Sequence, residues 1–157
     1  MTMIKAENFS SLIGRELEPS PWIEITQDRV NQFAEATNDF QFIHVDPEEA
    51  AKTPFGGPIA HGFLTLSLLS YLNAQSAIVP DGLVMGINYG SDKVRFLTPV
   101  RVGKRIRSLQ TVLDVTEKNP GHWLLKTRIL VEIEGEGTPA LIAEILSMWV
   151  IDNERIM

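Results

Sequence analysis

The chain has 157 residues, no cysteine and a formal net charge of −6. That length suits one domain, residues 1–157, with a core large enough to need neither metal nor disulfide. The lack of cysteine excludes thiol nucleophiles, Cys-ligated zinc and disulfide scaffolds, and the acidic balance argues against nucleic-acid binding, which needs clustered cations.

The first residues, MTMIKAENFSSLIG, carry no basic segment followed by an apolar run, so no signal peptide and a cytoplasmic location are expected. Gly14 and the Pro19-Ser20-Pro21 punctuation close a mixed lead-in. Trp22 to Ile25 alternates as a short strand does. Thr26 is a good N-cap, Asp28 sits in the first turn, and Val30, Phe33, Ala34 and Thr37 line one face of a helix that should end near Asn38. Between Asp39 and His44 neither regular period is present. Five residues separate the two by roughly 140° on a helix and put them on opposite faces of a strand, so a turn is needed to bring them together.

Asp46 as N-cap, Pro47 at the first helical position and Glu49 closing a capping box start a short helix through Ala51. Pro54, Phe55, Gly56, Gly57 and Pro58 then force a loop whose paired glycines permit close backbone approach. From His61 to Ala77 comes the most apolar helix, with Phe63, Leu64, Leu66, Leu68, Leu69, Tyr71 and Leu72 on nearly every side, so it is expected to be buried. Thr65, Ser67, Ser70 and Asn73 interrupt it, marking a core helix and no membrane span.

The remainder reads as strands: Val84 to Phe96, with Gly86 and Gly90 suggesting a bulge, then Ile106 to Val115, Trp123 to Ile133 and Leu141 to Ile151. Asn119, Pro120 and Gly121 form a turn. Small helices and a central helix followed by long strands make an α+β arrangement, helices on one face of an antiparallel sheet. Such a sheet leaves edges open, and an edge-to-edge homodimer is expected. Trp22, Trp123 and Trp149 read as core or interface, and His122 as exposed. Lys93, Arg95, Arg101, Lys104, Arg105 and Arg107 form a basic stretch that either meets a polyanionic small molecule or lies along solvated strand edges.

The segment from Asp39 to Ser70 resembles the MaoC-like, (R)-specific enoyl-CoA hydratases of the hotdog fold. Their signature of Asp, usually Asn, Pro, an aliphatic residue and His is matched by Asp39-Phe40-Gln41-Phe42-Ile43-His44. Their second element, an aliphatic approach to His-Gly at the start of the central helix, is matched by Pro58-Ile59-Ala60-His61-Gly62. Gln41 and Phe42 replace the usual Asn and Pro, which is similar to the NodN-like branch.

The resemblance implies a hotdog fold, a long antiparallel sheet wrapped around a buried central helix. It also implies reversible addition of water to a trans-2-enoyl-CoA. Asp39 and His44 would activate that water, and the Gly62 N–H would stabilise the thioester oxyanion. Gln41, His61 and Ser70 are the candidate substrate contacts. The plain alternatives are packing at Gly62, a loop-orienting role for His61, and a Ser70 hydroxyl bonded one turn back. Coenzyme A enters as part of the acyl-CoA substrate. No cofactor is expected, and no metal, since no grouping beyond Asp39 and His44 has ligand spacing. The competing readings are a hotdog thioesterase, disfavoured because no Asp or Glu lies between Gly62 and Ala77, and a noncatalytic acyl-CoA binding module, which would need neither Asp39 nor His44.

Overall fold

The computed structural model describes residues 2–75 and 78–152. Strands β2 (Ile23–Glu24), β4 (Leu83–Phe96), β5 (Arg105–Asn119), β6 (His122–Ile133) and β7 (Leu141–Ile151) form one antiparallel sheet in the order β2-β5-β6-β7-β4. The helices are α1 (Gln27–Thr37), α2 (Phe42–Val45), α3 (Pro47–Ala51), α4 (Gly62–Ser67) and α5 (Leu69–Ala74). Several short elements escaped the sequence reading. Residues Ala6–Leu12 form a 3₁₀ helix, and β1 (Thr2–Ile4) pairs in parallel with β3 (Ile78–Pro80). The lead-in is thereby fastened to the sheet: Phe9, fully buried, meets the rings of Trp123 and Trp149 edge-on at 5.0 and 5.3 Å.

Strand periodicity places the core. On β5, Ile106, Ser108, Gln110 and Val112 alternate inward and are buried. Ile129 and Val131 of β6 and Leu141 and Ala143 of β7 continue that inner face, against which Leu64, Leu69 and Leu72 of α4 and α5 pack. The glycine-marked bulge is present in β4, whose register against β7 shifts between Leu83 and Met85, between Asn88 and Gly90, and between Ser91 and Lys93.

The central helix departs from expectation. It is broken at Leu68 into α4 and α5, and the end assigned to Ala77 lies outside the described residues. Nor is it buried all round: Phe63 is 66% and Tyr71 53% exposed. One curved sheet covers only one side of a helix, so the opposite apolar side stays open. The edge strand β4 is open too, with Leu83, Met85, Ile87 and Tyr89 all exposed.

Candidate active site

Local signals bring the two halves of the motif together. The Thr26 hydroxyl accepts the Arg29 N–H at 3.2 Å and starts α1, and Asn38 ends it in the left-handed conformation, φ 57°. The chain therefore reverses at Asp39. Where the sequence suggested an irregular loop, Phe42–Val45 is a single helical turn, with Gln41 at its N-cap. Phe42 occupies the first helical position, where its own N–H has no intrahelical acceptor and where a proline fits equally well. The next helix opens on Asp46, whose carboxylate accepts from the N–H groups of Glu48 and Glu49 at 3.1 Å. The capping box is only half formed, because the Asp46 N–H donates to the Phe42 carbonyl and the Glu49 carboxylate takes Lys52.

This turn is stitched to the approach to α4. The Ile59 N–H donates to the Ile43 carbonyl at 3.0 Å, and the Gln27 side chain donates to the His44 carbonyl at 2.8 Å. The glycine pair ahead of it does permit a close approach. Arg101 Nη2 donates to the Gly56 carbonyl at 2.8 Å, and a Cβ on Gly57 would lie 3.1 Å from that nitrogen.

His44, 6% exposed, is thus fixed beside Asp39, which lies at the surface. Its Nδ1 is 2.7 Å from the Ile59 carbonyl. A carbonyl only accepts, so Nδ1 carries the proton and Nε2 presents a lone pair. Burial lowers the His44 pKa from 6.5; the Ile59 bond and Asp39 oppose that fall and His61 adds to it. The ring is therefore neutral at pH 7. One donor-capable atom each from Asp39, His44 and His61 lie within 4.8 Å of one another. A water donating hydrogen bonds of about 2.8 Å to two of these acceptors spans just such a gap.

His61 takes the loop-orienting role that the sequence offered as one of its two readings. It is 3% exposed and stacks on His44 with centroids 3.9 Å apart and planes at 26°. Its Nε2 donates to the Asp39 backbone carbonyl at 3.0 Å, which holds the carboxylate-bearing loop in place, while its Nδ1 is buried without a partner among the described residues. The trio has metal-ligand chemistry, but a ligating imidazole places the ion in its own ring plane. Two rings stacked at 3.9 Å cannot both do so for one ion. The residues therefore do not fit a shared metal.

The other candidates divide. Gly62 is the first residue of α4, where the helix has no acceptor for its N–H. It lines a cavity of about 180 Å³ with His44, Thr65 and Phe96. It also serves packing, because a Cβ there would lie 3.0 Å from the Phe96 ring. Thr65, 3% exposed, was not anticipated; it lies one helical turn after His61 on the same face. Gln41 contributes a backbone N–H, 3.4 Å from the Asp39 carboxylate, while its side chain is exposed. Ser70 is exposed and lines a separate, larger cleft; the back-bonded serine of this helix is Ser67, to the Phe63 carbonyl at 2.7 Å.

Half of the basic stretch is paired off. Arg107 reaches Glu132 and Arg105 reaches Glu134, both at 2.6 Å, and Lys104 lies 3.6 Å from Glu136. Among the described residues Lys93, Arg95 and Arg101 form no ion pair. His122 is exposed, as expected, and the Arg107 guanidinium lies over Trp22, 4.5 Å from its centroid. Among the described residues no helix is long and apolar enough to cross a membrane.

A curved antiparallel sheet on a central helix is a hotdog fold, and here a carboxylate and an imidazole come together beside the start of that helix. Residues 8–131 match the MaoC like domain model. The chain belongs to the MaoC-like dehydratase family, and its class is that of a hydro-lyase. It is 48% identical over 144 residues to nodulation protein N of Rhizobium meliloti (strain 1021), covering 91% of this chain and 89% of that one. It is 43% identical over 149 residues to 3-hydroxyacyl-thioester dehydratase Z of Mycobacterium tuberculosis, covering 95% and 98%. Among solved structures, the (R)-hydratase from A. caviae involved in PHA biosynthesis is similar, with 30% identity, a TM-score of 0.67, and coverage of 86% and 94%.

Proposed function

We propose that the protein reversibly hydrates trans-2-enoyl-CoA to (R)-3-hydroxyacyl-CoA. The observation that carries this reading is the spacing of Asp39 and neutral His44, within 4.8 Å and so bridgeable by one water, beside a helix-starting N–H at Gly62. In the forward direction the water binds between the Asp39 carboxylate and His44 Nε2. As its oxygen bonds Cβ, the imidazole takes one proton and the alkene electron pair moves into an enolate, whose oxygen accepts the Gly62 N–H. His44, now cationic beside Asp39, returns the proton to Cα on the face that received the hydroxyl. A neutral imidazole that takes a proton and returns it suits both steps, and an oxyanion donor of this kind contributes about 3 kcal/mol. Gln41, His61 and Ser70 remain the candidate substrate contacts, with His61 acting on the Asp39 loop.

The active form is proposed to be a homodimer built on the open edge of β4 and the uncovered side of α4 and α5, where Phe63 and Tyr89 are 66% and 60% exposed. Of the basic stretch, Lys93, Arg95 and Arg101, which form no ion pair among the described residues, are the proposed contacts of the coenzyme A phosphates. The deciding experiment is hydration of crotonyl-CoA, followed by loss of the conjugated-thioester absorbance, with the product's configuration determined. Turnover to the (R)-alcohol is expected. Hydrolysis of the thioester instead would favour a thioesterase.

A further inference from the structure

The cavity of about 180 Å³ that His44 and Gly62 line also carries two hydroxyls, those of Thr65 and Thr98. The Thr98 hydroxyl is paired with that of Thr138 at 2.7 Å. Thr65 differs: the residue is 3% exposed, yet its hydroxyl has no hydrogen-bond partner among the described residues. A hydroxyl on a helix commonly bonds the carbonyl one turn back, as Thr37 does with Phe33 and Ser67 with Phe63, both at 2.7 Å. The carbonyl one turn before Thr65 is that of His61, which accepts instead from the backbone N–H groups of Leu64 and Thr65 at 3.1 and 3.3 Å. Nor is the Thr65 oxygen sealed within the protein as His61 Nδ1 is, so the space it opens to is the cavity. Buried polar groups are nearly always paired, and an unpaired donor facing a cavity is complementary to an acceptor that enters it.

We propose that the Thr65 hydroxyl contacts the substrate, donating a second hydrogen bond to the thioester oxygen beside the Gly62 N–H. The inference rests on the hydratase reading of this site and adds a catalytic residue to it. Thr65 lies three residues after Gly62 on α4. Helix positions so spaced are neighbours, about 5–6 Å apart at Cβ, and a helical side chain leans back over the turn that precedes it. The hydroxyl is thereby set toward the start of the helix, on the cavity side. One oxygen accepting two hydrogen bonds of about 2.9 Å spans such a gap. As the alkene electron pair moves into the enolate, charge gathers on that oxygen and both bonds strengthen. The hydroxyl keeps its proton throughout, so the proton transfers stay with His44.

The test compares Thr65→Val, which keeps the shape and loses the hydroxyl, with Thr65→Ser, which keeps the hydroxyl. On crotonyl-CoA, Thr65→Val is expected to lose at least about tenfold in kcat with KM little changed, and Thr65→Ser to recover most of that loss. The Tm of Thr65→Val should hold or rise, because no protein partner is stranded. The second readout is the infrared carbonyl stretch of bound butyryl-CoA labelled with carbon-13 at the thioester carbon, which each hydrogen bond lowers. That band should lie higher in Thr65→Val than in wild type or Thr65→Ser. A valine variant within a few-fold of wild type, a serine variant as slow as the valine one, or a band that does not move overturns the inference. If wild type hydrates no crotonyl-CoA, the hydratase reading fails by itself and the band alone decides the contact: a shift in Thr65→Val supports it, and no shift, or no binding of butyryl-CoA, overturns it.

Discussion

Replacing Asp39 with Asn removes a charge and leaves the shape of the side chain. Asp39 is exposed, and its carboxylate makes one long contact, 3.4 Å to the Gln41 N–H, which the Asn oxygen can keep. Its backbone carbonyl still accepts from His61. Stability should therefore move by no more than about 0.5 kcal/mol, or about 1–2 °C in Tm at this chain length. The water, however, loses an anionic acceptor and the imidazolium loses its counter-charge, so crotonyl-CoA hydration should fall by about 10²–10⁴. His44→Ala should lose as much activity but behave differently on heating. It strands the Ile59 carbonyl in the interior, at a cost of about 1–3 kcal/mol, a fall of roughly 2–12 °C in Tm. If the two residues grip one water, the double variant should be little slower than either single one. An Asp39→Asn enzyme within a few-fold of wild type, correctly folded, would refute this reasoning.

Other outcomes follow from the same geometry. Because burial lowers the His44 pKa from 6.5, kcat/KM should be level above neutral pH and fall on the acid side as the ring protonates. The same shift has a stability counterpart. Below pH 6.5 the unfolded chain takes up a proton at this position more readily than the folded one, so stability should decline with acidity down to the folded pKa and more shallowly in His44→Gln. Gly62→Ala places a Cβ 3.0 Å from the Phe96 ring; kcat for crotonyl-CoA should drop by about ten- to a hundredfold as the helix start shifts, with about 1–3 kcal/mol of overpacking visible in Tm. Ile87→Lys on the open β4 edge should yield a monomer in sedimentation, since a buried charge at a strand edge opposes pairing; an unchanged dimer would place the interface elsewhere.

Much of this was legible because the punctuation was chemically specific. Thr26, Asn38, Asp46 and Pro47 each act where their side chains predict, and the strand bounds at Leu141 and Ile151 agree with the structure. The central helix was misjudged for a physical reason. An apolar residue does not say whether it is covered by its own chain or by another, so Phe63 and Tyr71 looked like core. A loop-orienting role for His61 was legible, but its partner, the Asp39 carbonyl 22 residues away, was not, because that contact depends on tertiary approach. The 3₁₀ helix at Ala6–Leu12 has no propensity signal of its own and forms where Phe9 is drawn between Trp123 and Trp149.

The most direct test of a single water shared by Asp39 and His44 is hydration of crotonyl-CoA in deuterium oxide, with the product's relative configuration read by NMR. Deuterium at C2 should lie on the same face as the new hydroxyl at C3, in one diastereomer of the (R)-alcohol. Labelling on the opposite face, or on both, would contradict a mechanism in which one imidazole takes the water's proton and hands it to the neighbouring carbon.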